Sequence, residues 1–284
     1  MLAIRLLEQA DIPQAMQLVA AAGWNQTARD WSRVIAYQPD GCFQAVNADR
    51  LVGTVTTTCY QRELAWIGMM LVDASERRQG IGTQLMQRAI DVLHNQQMRT
   101  IKLDATPAGR PLYQRLGFQA EHDFQRWMRP ALGSNARSAS SAANIDESFI
   151  DDTPPSFEVE QYAQLDRKAF GADRRQWLMR LAADSCVVCG RSAFGMLRPG
   201  RMASYMGPIV ADDPRAARQV IEKLLSTASD PVIWDVPPAN AAAAALAEQL
   251  EFQPVRVLTR MWLGEALTAE APHAQFALCD PATG

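Results

Sequence analysis

Residues 72–82, Val72-Asp-Ala-Ser-Glu-Arg77-Arg-Gln-Gly80-Ile-Gly82, join an unbroken apolar run to a segment with helical spacing. Upstream, Leu64–Val72 reads as a strand; downstream, Leu85, Ala89, Val92 and Leu93 recur on one helical face. The stretch is therefore a turn that ends a strand and opens a helix. Helix N-termini present unpaired backbone N–H groups and the positive end of the helix dipole, so they hold anions without needing a charged side chain. Gly80 and Gly82 let the backbone approach an anion closely, and Arg77 and Arg78 add local positive charge. The same two glycines also suit a tight turn with no ligand, and taken alone they leave both readings open.

The surroundings give this turn a place in a fold. Asp11 with Pro13 reads as a helix start with a stop at Gly23, and Thr27 with Asp30 resembles a capping box ahead of a second helix. Strands follow at Cys42–Asn47, Leu51–Tyr60 and Leu64–Val72, which makes an antiparallel meander. A helix over Gly82–Gln97, a strand over Thr100–Ala105, a short helix over Arg110–Leu116 and a last strand at Phe124–Met128 complete the half. The expected class is α/β (α+β), with a mixed, mainly antiparallel sheet flanked by helices.

Two motifs in this half carry a resemblance. The Arg77-Arg-Gln-Gly80-Ile-Gly82 turn after an apolar strand resembles the acetyl-CoA signature of the GCN5-related N-acetyltransferases (GNAT), Arg/Gln-x-x-Gly-x-Gly/Ala after the fourth strand. Leu103–Phe118, ending in Tyr113-Gln-Arg-Leu-Gly-Phe118, is similar to that family's strand, short helix and Tyr-x-x-x-Gly-Phe ending. The resemblance implies that backbone groups of Arg78, Gln79, Gly80, Ile81, Gly82 and Thr83 hold the pyrophosphate of acetyl-CoA, with Arg77 and Arg78 assisting by charge. It implies that Leu71 and Val72 pair with the pantetheine arm, and that Tyr113 protonates the departing thiolate. A half-buried aromatic on the sheet is the alternative for Tyr113. Where the family often carries asparagine, seven residues before this tyrosine, the chain has Thr106. No carboxylate or histidine lies within Ala65–Val72; Glu63 and Asp73 flank it, and the general base stays unassigned. Trp24 and Asn25, between the first two helices, are either a substrate wall or a packing plug.

The second half repeats the first. Ser204–Asp212 resembles Ala65–Asp73, a helical pattern with Val220, Ile221, Leu224 and Leu225 follows, and Val232–Val236 and Asn240–Leu250 match the next strand and helix. Arg260-Met-Trp262 answers Arg126-Trp-Met128. Ala216, Gln219 and Ile221 stand where Arg77, Gly80 and Gly82 stand, and Ala247 where Tyr113 stands. The expectation is a catalytic domain at 1–130, a flexible acidic linker at 131–156, and a degenerate GNAT-like domain at 157–284. Asp166, Arg174, Tyr205 and Asp235 are its notable polar groups.

Composition excludes several classes. A chain of 284 residues, 48% hydrophobic, is comfortable as two domains. The net charge of −3 supplies no general attraction to nucleic acid or anionic membrane. No run reaches the roughly 18 to 20 apolar residues needed to span a bilayer, and Arg5, Glu8 and Asp11 interrupt the N-terminus. A cytoplasmic protein without membrane or nucleic-acid partners is expected; oligomeric state is unreadable. The five cysteines are odd in number and scattered. Cys186-Val-Val-Cys189 lacks two further zinc ligands nearby, so no metal is expected and a buried strand is the reading there. The leading function is acetyl-CoA-dependent transfer to an amine of a small molecule. A non-catalytic acyl-CoA-sensing or protein-binding module, and a protein lysine acetyltransferase, stay open.

Overall fold

The structure is a computed structural model that describes residues 2–131 and 158–284. Apart from Ala131, the expected acidic linker lies outside the described residues. The molecule divides into two compact units, and each draws on more than one stretch of the sequence. The first contains residues up to His122 together with Thr259–Leu267 and Pro281–Gly284; the second contains Asp123–Leu258 and Thr268–Asp280.

In the first unit the sheet order is β1 (Leu2–Leu6), β2 (Phe43–Asn47), β3 (Arg50–Tyr60), β4 (Leu64–Val72), β5 (Thr100–Ala105), then the Thr259–Gly264 end of β11 (Gln253–Gly264). Neighbours are antiparallel except β4 and β5. Helices α1 (Ile12–Ala21) and α2 (Ala28–Tyr37) pack on β3, and α3 (Ile81–Asn95) packs on β2, β3 and β4. The Thr27–Asp30 capping box forms in full: Asp30 N–H donates to the Thr27 hydroxyl and Thr27 N–H donates to the Asp30 carboxylate. Ala65, Ile67, Ile101, Leu103 and Ala105 share a core with Leu85, Ala89 and Leu93 of α3. By strand alternation, Trp66, Gly68, Lys102 and Asp104 therefore lie on the opposite face.

Two features of β4 shape the site. Its pairing with β5 runs from Leu64↔Thr100 to Trp66↔Lys102 and stops, so the two strands fork beyond that point. A bulge displaces its register against β3 between Leu71↔Thr54 and Gly68↔Thr56. Met69 takes φ +45° there, and its carbonyl accepts a hydrogen bond from Thr54 Oγ1 at 2.8 Å. The inserted residue bends β4 locally, which opens the fork.

The second unit has the order β6 (Gln119–Arg129, of which Asp123 onward belongs here), β10 (Val232–Val236), β9 (Ser204–Ala211), β8 (Ala193–Arg198) and β7 (Cys186–Gly190), with β12 (Gln275–Ala277) also on β9. Its helices are α5 (Val159–Phe170), α6 (Arg175–Ala182), α7 (Pro214–Thr227) and α8 (Ala241–Gln249). Val220, Ile221, Leu224, Trp234, Phe252 and Phe276 build its core.

Several elements differ from the sequence reading. β1 was not expected, because Leu2–Leu6 is a half-exposed edge strand with little apolar signature. β12 was not expected either; three residues are too few to show a period. β7 is an edge strand with Cys186 exposed and Cys189 partly buried, which corrects the expectation of a buried strand there. The last strand of the first half extends over Gln119–Arg129.

Each closing strand also serves the other half of the sequence. In the first unit Arg260 of β11 faces Asp104 of β5, with Nε–Oδ1 and Nη2–Oδ2 both at 2.9 Å. In the second, Arg126 of β6 faces Asp235 of β10 at 2.7 and 2.6 Å. Tyr205 donates its hydroxyl to Asp235, and Arg174 pairs with Asp166 through two 3.0 Å bonds in full burial. These four polar residues are thus held by partners inside their own unit.

Candidate active site

The turn at 72–82 is built by its own short-range bonds. Asp73 accepts from the N–H and hydroxyl of Ser75, and Arg50 bridges Asp73 at 2.6 Å and Glu76 at 2.8 Å. Those hydrogen bonds, Ser75 foremost, hold the Asp73 carboxyl below the usual carboxylate range. Arg50 thereby offsets two negative charges beside the turn. Arg77 Nε donates to the Val72 carbonyl at 3.1 Å, which ties the turn to the end of β4, whereas the Arg78 side chain is exposed.

Helix α3 begins without a side-chain cap. Gly80 stands at its N-cap with φ +81°, and a Cβ there would meet nothing nearer than Gln84 Nε2 at 3.9 Å. The first backbone bond of the helix runs from Gln84 N–H to the Gly80 carbonyl at 3.0 Å. Among the described residues, the N–H groups of Arg78–Thr83 have no hydrogen-bond acceptor. Gly82 answers a different need: a Cβ would stand 2.8 Å from Met70 Cε and 3.4 Å from Leu112 Cδ2. Gly80 keeps the donors uncovered, and Gly82 lets α3 close on β4 and α4 (Arg110–Arg115).

Tyr113 lies on α4, one residue after Leu112, and packs with Met70 and Val72 against the first unit's core. Its ring meets Phe118 edge-on at 6.2 Å and covers Gly109. Burial pushes the phenol up to about 12, so it stays protonated at neutral pH. Its hydroxyl has no hydrogen-bond partner among the described residues. Thr106 is committed to the backbone, since its hydroxyl accepts from Gly109 N–H at 3.2 Å. Trp24 and Asn25 lie half-buried in the connection between α1 and α2, where Trp24 N–H donates to the Val19 carbonyl.

The α3 N-terminus, the stretch of β4 that runs on past its last pairing with β5 at Trp66↔Lys102, and α4 with Tyr113 all belong to the first unit. An extended chain with an anionic head fits it by backbone donors at one end and strand-like pairing along the other.

The second unit has the same fork filled by its own chain. β9 and β10 pair only over Ser204–Met206 and Val232–Trp234. Beyond that, β12 pairs with β9 through Ala277↔Ile209 and Gln275↔Val210, and Leu278 N–H donates to the Asp235 carbonyl at 3.0 Å. At the N-terminus of α7, the Asp213 carboxylate accepts from Arg215 and Ala216 N–H at 2.8 and 2.9 Å. A protein carboxylate thus stands where an anion would sit, and a protein strand lies along the fork.

Comparison with known proteins agrees with this geometry. A profile of the acetyltransferase (GNAT) family matches residues 11–118, and one of the acetyltransferase (GNAT) domain matches residues 162–277. The chain belongs to the GNAT acetyltransferases, in tandem form. It is similar to the uncharacterized N-acetyltransferase YitH of Bacillus subtilis (strain 168), 24% identical over 246 residues that cover 81% of this chain and 80% of that protein. A Pyrococcus horikoshii structure, provisionally assigned as an acetyltransferase, matches with a TM-score of 0.83 and 25% identity, covering 100% of this chain and 96% of that one. The fold is also that of a tandem GNAT protein from the clavulanic acid biosynthesis pathway, with a TM-score of 0.64 and 13% identity over 94% of this chain and all of that one.

The family uses acetyl-CoA, and the residues present in the first unit fit it. The features that mattered least in sequence were the bulge at Met69 and the Asp104–Arg260 pair, because each depends on a strand partner far along the chain. Among the described residues no helix is long and apolar enough to cross a membrane.

Proposed function

We propose that the first unit is the catalytic one and passes an acetyl group from acetyl-CoA directly to an amine of a small molecule. The observation that carries the reading is that the N–H groups of Arg78–Thr83 have no acceptor among the described residues, at the end of a strand that parts from β5 beyond Trp66. Bound there, acetyl-CoA supplies an activated acetyl thioester. Arg78, Gln79, Gly80, Ile81, Gly82 and Thr83 hold the pyrophosphate, Arg78 adds charge, and Arg77 keeps the turn in place through Val72. Leu71 and Val72 border the pantetheine arm, and Trp24 and Asn25 stand toward the acceptor.

Tyr113 acts as the acid. Its raised pKa keeps a proton available, and a hydrogen bond to sulfur strengthens as negative charge develops, so it favours the transition state over the ground state. The amine's proton is assigned to solvent. Asp73 is stabilised as a carboxylate, Glu63 stands at the far end of β4, and Arg260 occupies both oxygens of Asp104. The second unit, with its fork filled, serves as scaffold, and the protein works in the cytoplasm.

The test is release of CoA thiol from acetyl-CoA over a panel of amines and of folded proteins. Turnover with small amines, reduced by roughly 10²- to 10⁴-fold in Tyr113→Phe at unchanged acetyl-CoA affinity, is the expected result. Tight acetyl-CoA binding with no amine turned over would favour a sensor, and efficient acetylation of folded proteins alone would favour a lysine acetyltransferase.

A further inference from the structure

The second unit carries a charged row on one sheet face, and the positive charge in it exceeds the negative. Val232, Trp234 and Val236 of β10 enter the core built with α7, so Ile233 and Asp235 lie on the opposite face. The ladders carry that face across the neighbouring strands: Asp235 stands opposite Arg126 of β6, Ile233 opposite Tyr205 of β9, and Tyr205 opposite Arg198 of β8. The Gln253–Leu258 part of β11 belongs to this unit and lies beside β6, and its Leu258 packs against Phe124. Phe124 is two residues before Arg126 and Leu258 two after Arg256, so Arg256 extends the row by one strand.

Both carboxylates of the row already have partners. Asp235 accepts from Arg126 Nε and Nη2 at 2.7 and 2.6 Å and from the Tyr205 hydroxyl, so both of its oxygens are taken. Asp280 accepts from Arg198 Nη2 at 2.7 Å, and Arg198 also donates to the Gly207 and Cys279 carbonyls. Burial, with the Asp235 charge adding to it, keeps the Tyr205 phenol protonated and neutral. Three arginines therefore meet two aspartates, and Arg256 is the one left over. Among the described residues it has no hydrogen bond or ion pair. Arg256 is exposed, and Arg126, whose side chain keeps 11% exposure, has no hydrogen bond on Nη1 among the described residues. Partial desolvation, then repulsion from Arg126, lowers the Arg256 pKa, with Asp235 and Tyr205 opposing. An anion that bridges the two guanidinium groups removes that repulsion.

We infer that Arg256 and Arg126 form a site in the second unit for a small oxyanion, a carboxylate or phosphate group. Arg256 supplies a fork of N–H donors that matches two oxygens of such a group, and Arg126 Nη1 adds a further donor while its other nitrogens hold Asp235. The site opens to solvent at Arg256. Tyr205 and Asp235 are buried and act as positioning residues that fix Arg126. The second unit thus has a ligand of its own, whether or not the first unit transfers acetyl groups.

The test is an amide chemical-shift titration of the full, isotope-labelled protein with inorganic phosphate and, separately, with succinate, at fixed ionic strength. The amides of Arg126, Arg256 and Val257 are expected to shift and saturate with at least one of the two, and the one that does so names the anion. The amides of Arg78–Thr83 report the α3 N-terminus separately, so binding there is not mistaken for binding here. In Arg256→Gln the dissociation constant read at Arg126 is expected to weaken about tenfold or more, the scale of a lost hydrogen bond to a charged group. Arg256→Lys keeps the charge and loses the fork, so its affinity is expected to fall between the two. Urea unfolding with chloride as the sole anion is expected to show Arg256→Gln no less stable than the intact chain, because the variant removes a repulsion rather than a bond. Shifts that stay linear with both anions, or an Arg256→Lys protein that binds as tightly as the intact chain, mean general attraction to surface charge and overturn the inference. A clear loss of urea stability in Arg256→Gln overturns it as well, since Arg256 would then be a structural residue.

Discussion

At the scale of single residues, Tyr113 and Gly80 carry separable consequences. With its phenol pushed up to about 12, Tyr113 remains protonated through the range in which an ordinary amine, with a pKa of roughly 10, becomes neutral. The expected pH profile of kcat/KM therefore rises with amine deprotonation and shows no fall assignable to Tyr113 until about 12. A falling limb centred near 10 that vanishes in Tyr113→Phe would mean that the phenol titrates unperturbed, contrary to its burial. The two glycines of the turn are expected to differ in kind. Gly80→Ala forces a side chain onto φ +81° in open space, at a cost of about 1–2 kcal/mol of backbone strain. Gly82→Ala meets the flexible end of Met70 and should cost less. Urea unfolding of the two variants checks the order.

At the scale of elements, the contrast between α3 and α7 explains how one fold is kept with and without a ligand. α3 starts at an uncapped glycine, while α7 starts at Asp213, whose carboxylate caps two N–H groups. The β4–β5 fork is open along its pairing edge, while β12 lies in the β9–β10 fork, held further by Trp234 Nε1 to Phe276 O at 2.8 Å and Asn240 Nδ2 to Gln275 O at 3.1 Å. An open fork leaves backbone groups for a ligand to satisfy; a filled one has satisfied them already. The expected stoichiometry by calorimetry is one acetyl-CoA per chain. Two equivalents of comparable affinity would show that β12 yields its place.

At the scale of the molecule, the two closing strands are exchanged between the sequence halves, and a buried Arg–Asp pair marks each. Asp104 and Asp235 side chains are fully buried against Arg260 and Arg126. Removing one charge leaves the other buried and unpaired, so Asp104→Asn and Asp235→Asn are each expected to cost about 3–5 kcal/mol in chemical denaturation. Some strand boundaries in both units were legible from sequence. Leu64–Val72, Thr100–Ala105 and Val232–Val236 occur as read, because each is a compact apolar run bounded by turn residues. The Arg260/Arg126 correspondence was legible as a repeat. Its meaning was not, since nothing local tells a strand which sheet it will complete.

The sequence by itself determined the family, the mixed α/β elements, the glycine turn that opens α3 and the place of Tyr113 after it, all of which depend on local spacing. It also marked the second half as lacking that turn. Tertiary structure decided which backbone groups stay unpaired, where β4 parts from β5, and that residues 281–284 cross Gly68. Those facts rest on pairings between residues as far apart as Tyr60 and Thr283. Periodicity reports a residue's own element and burial; it carries no record of the distant strand that satisfies, or leaves free, its hydrogen bonds.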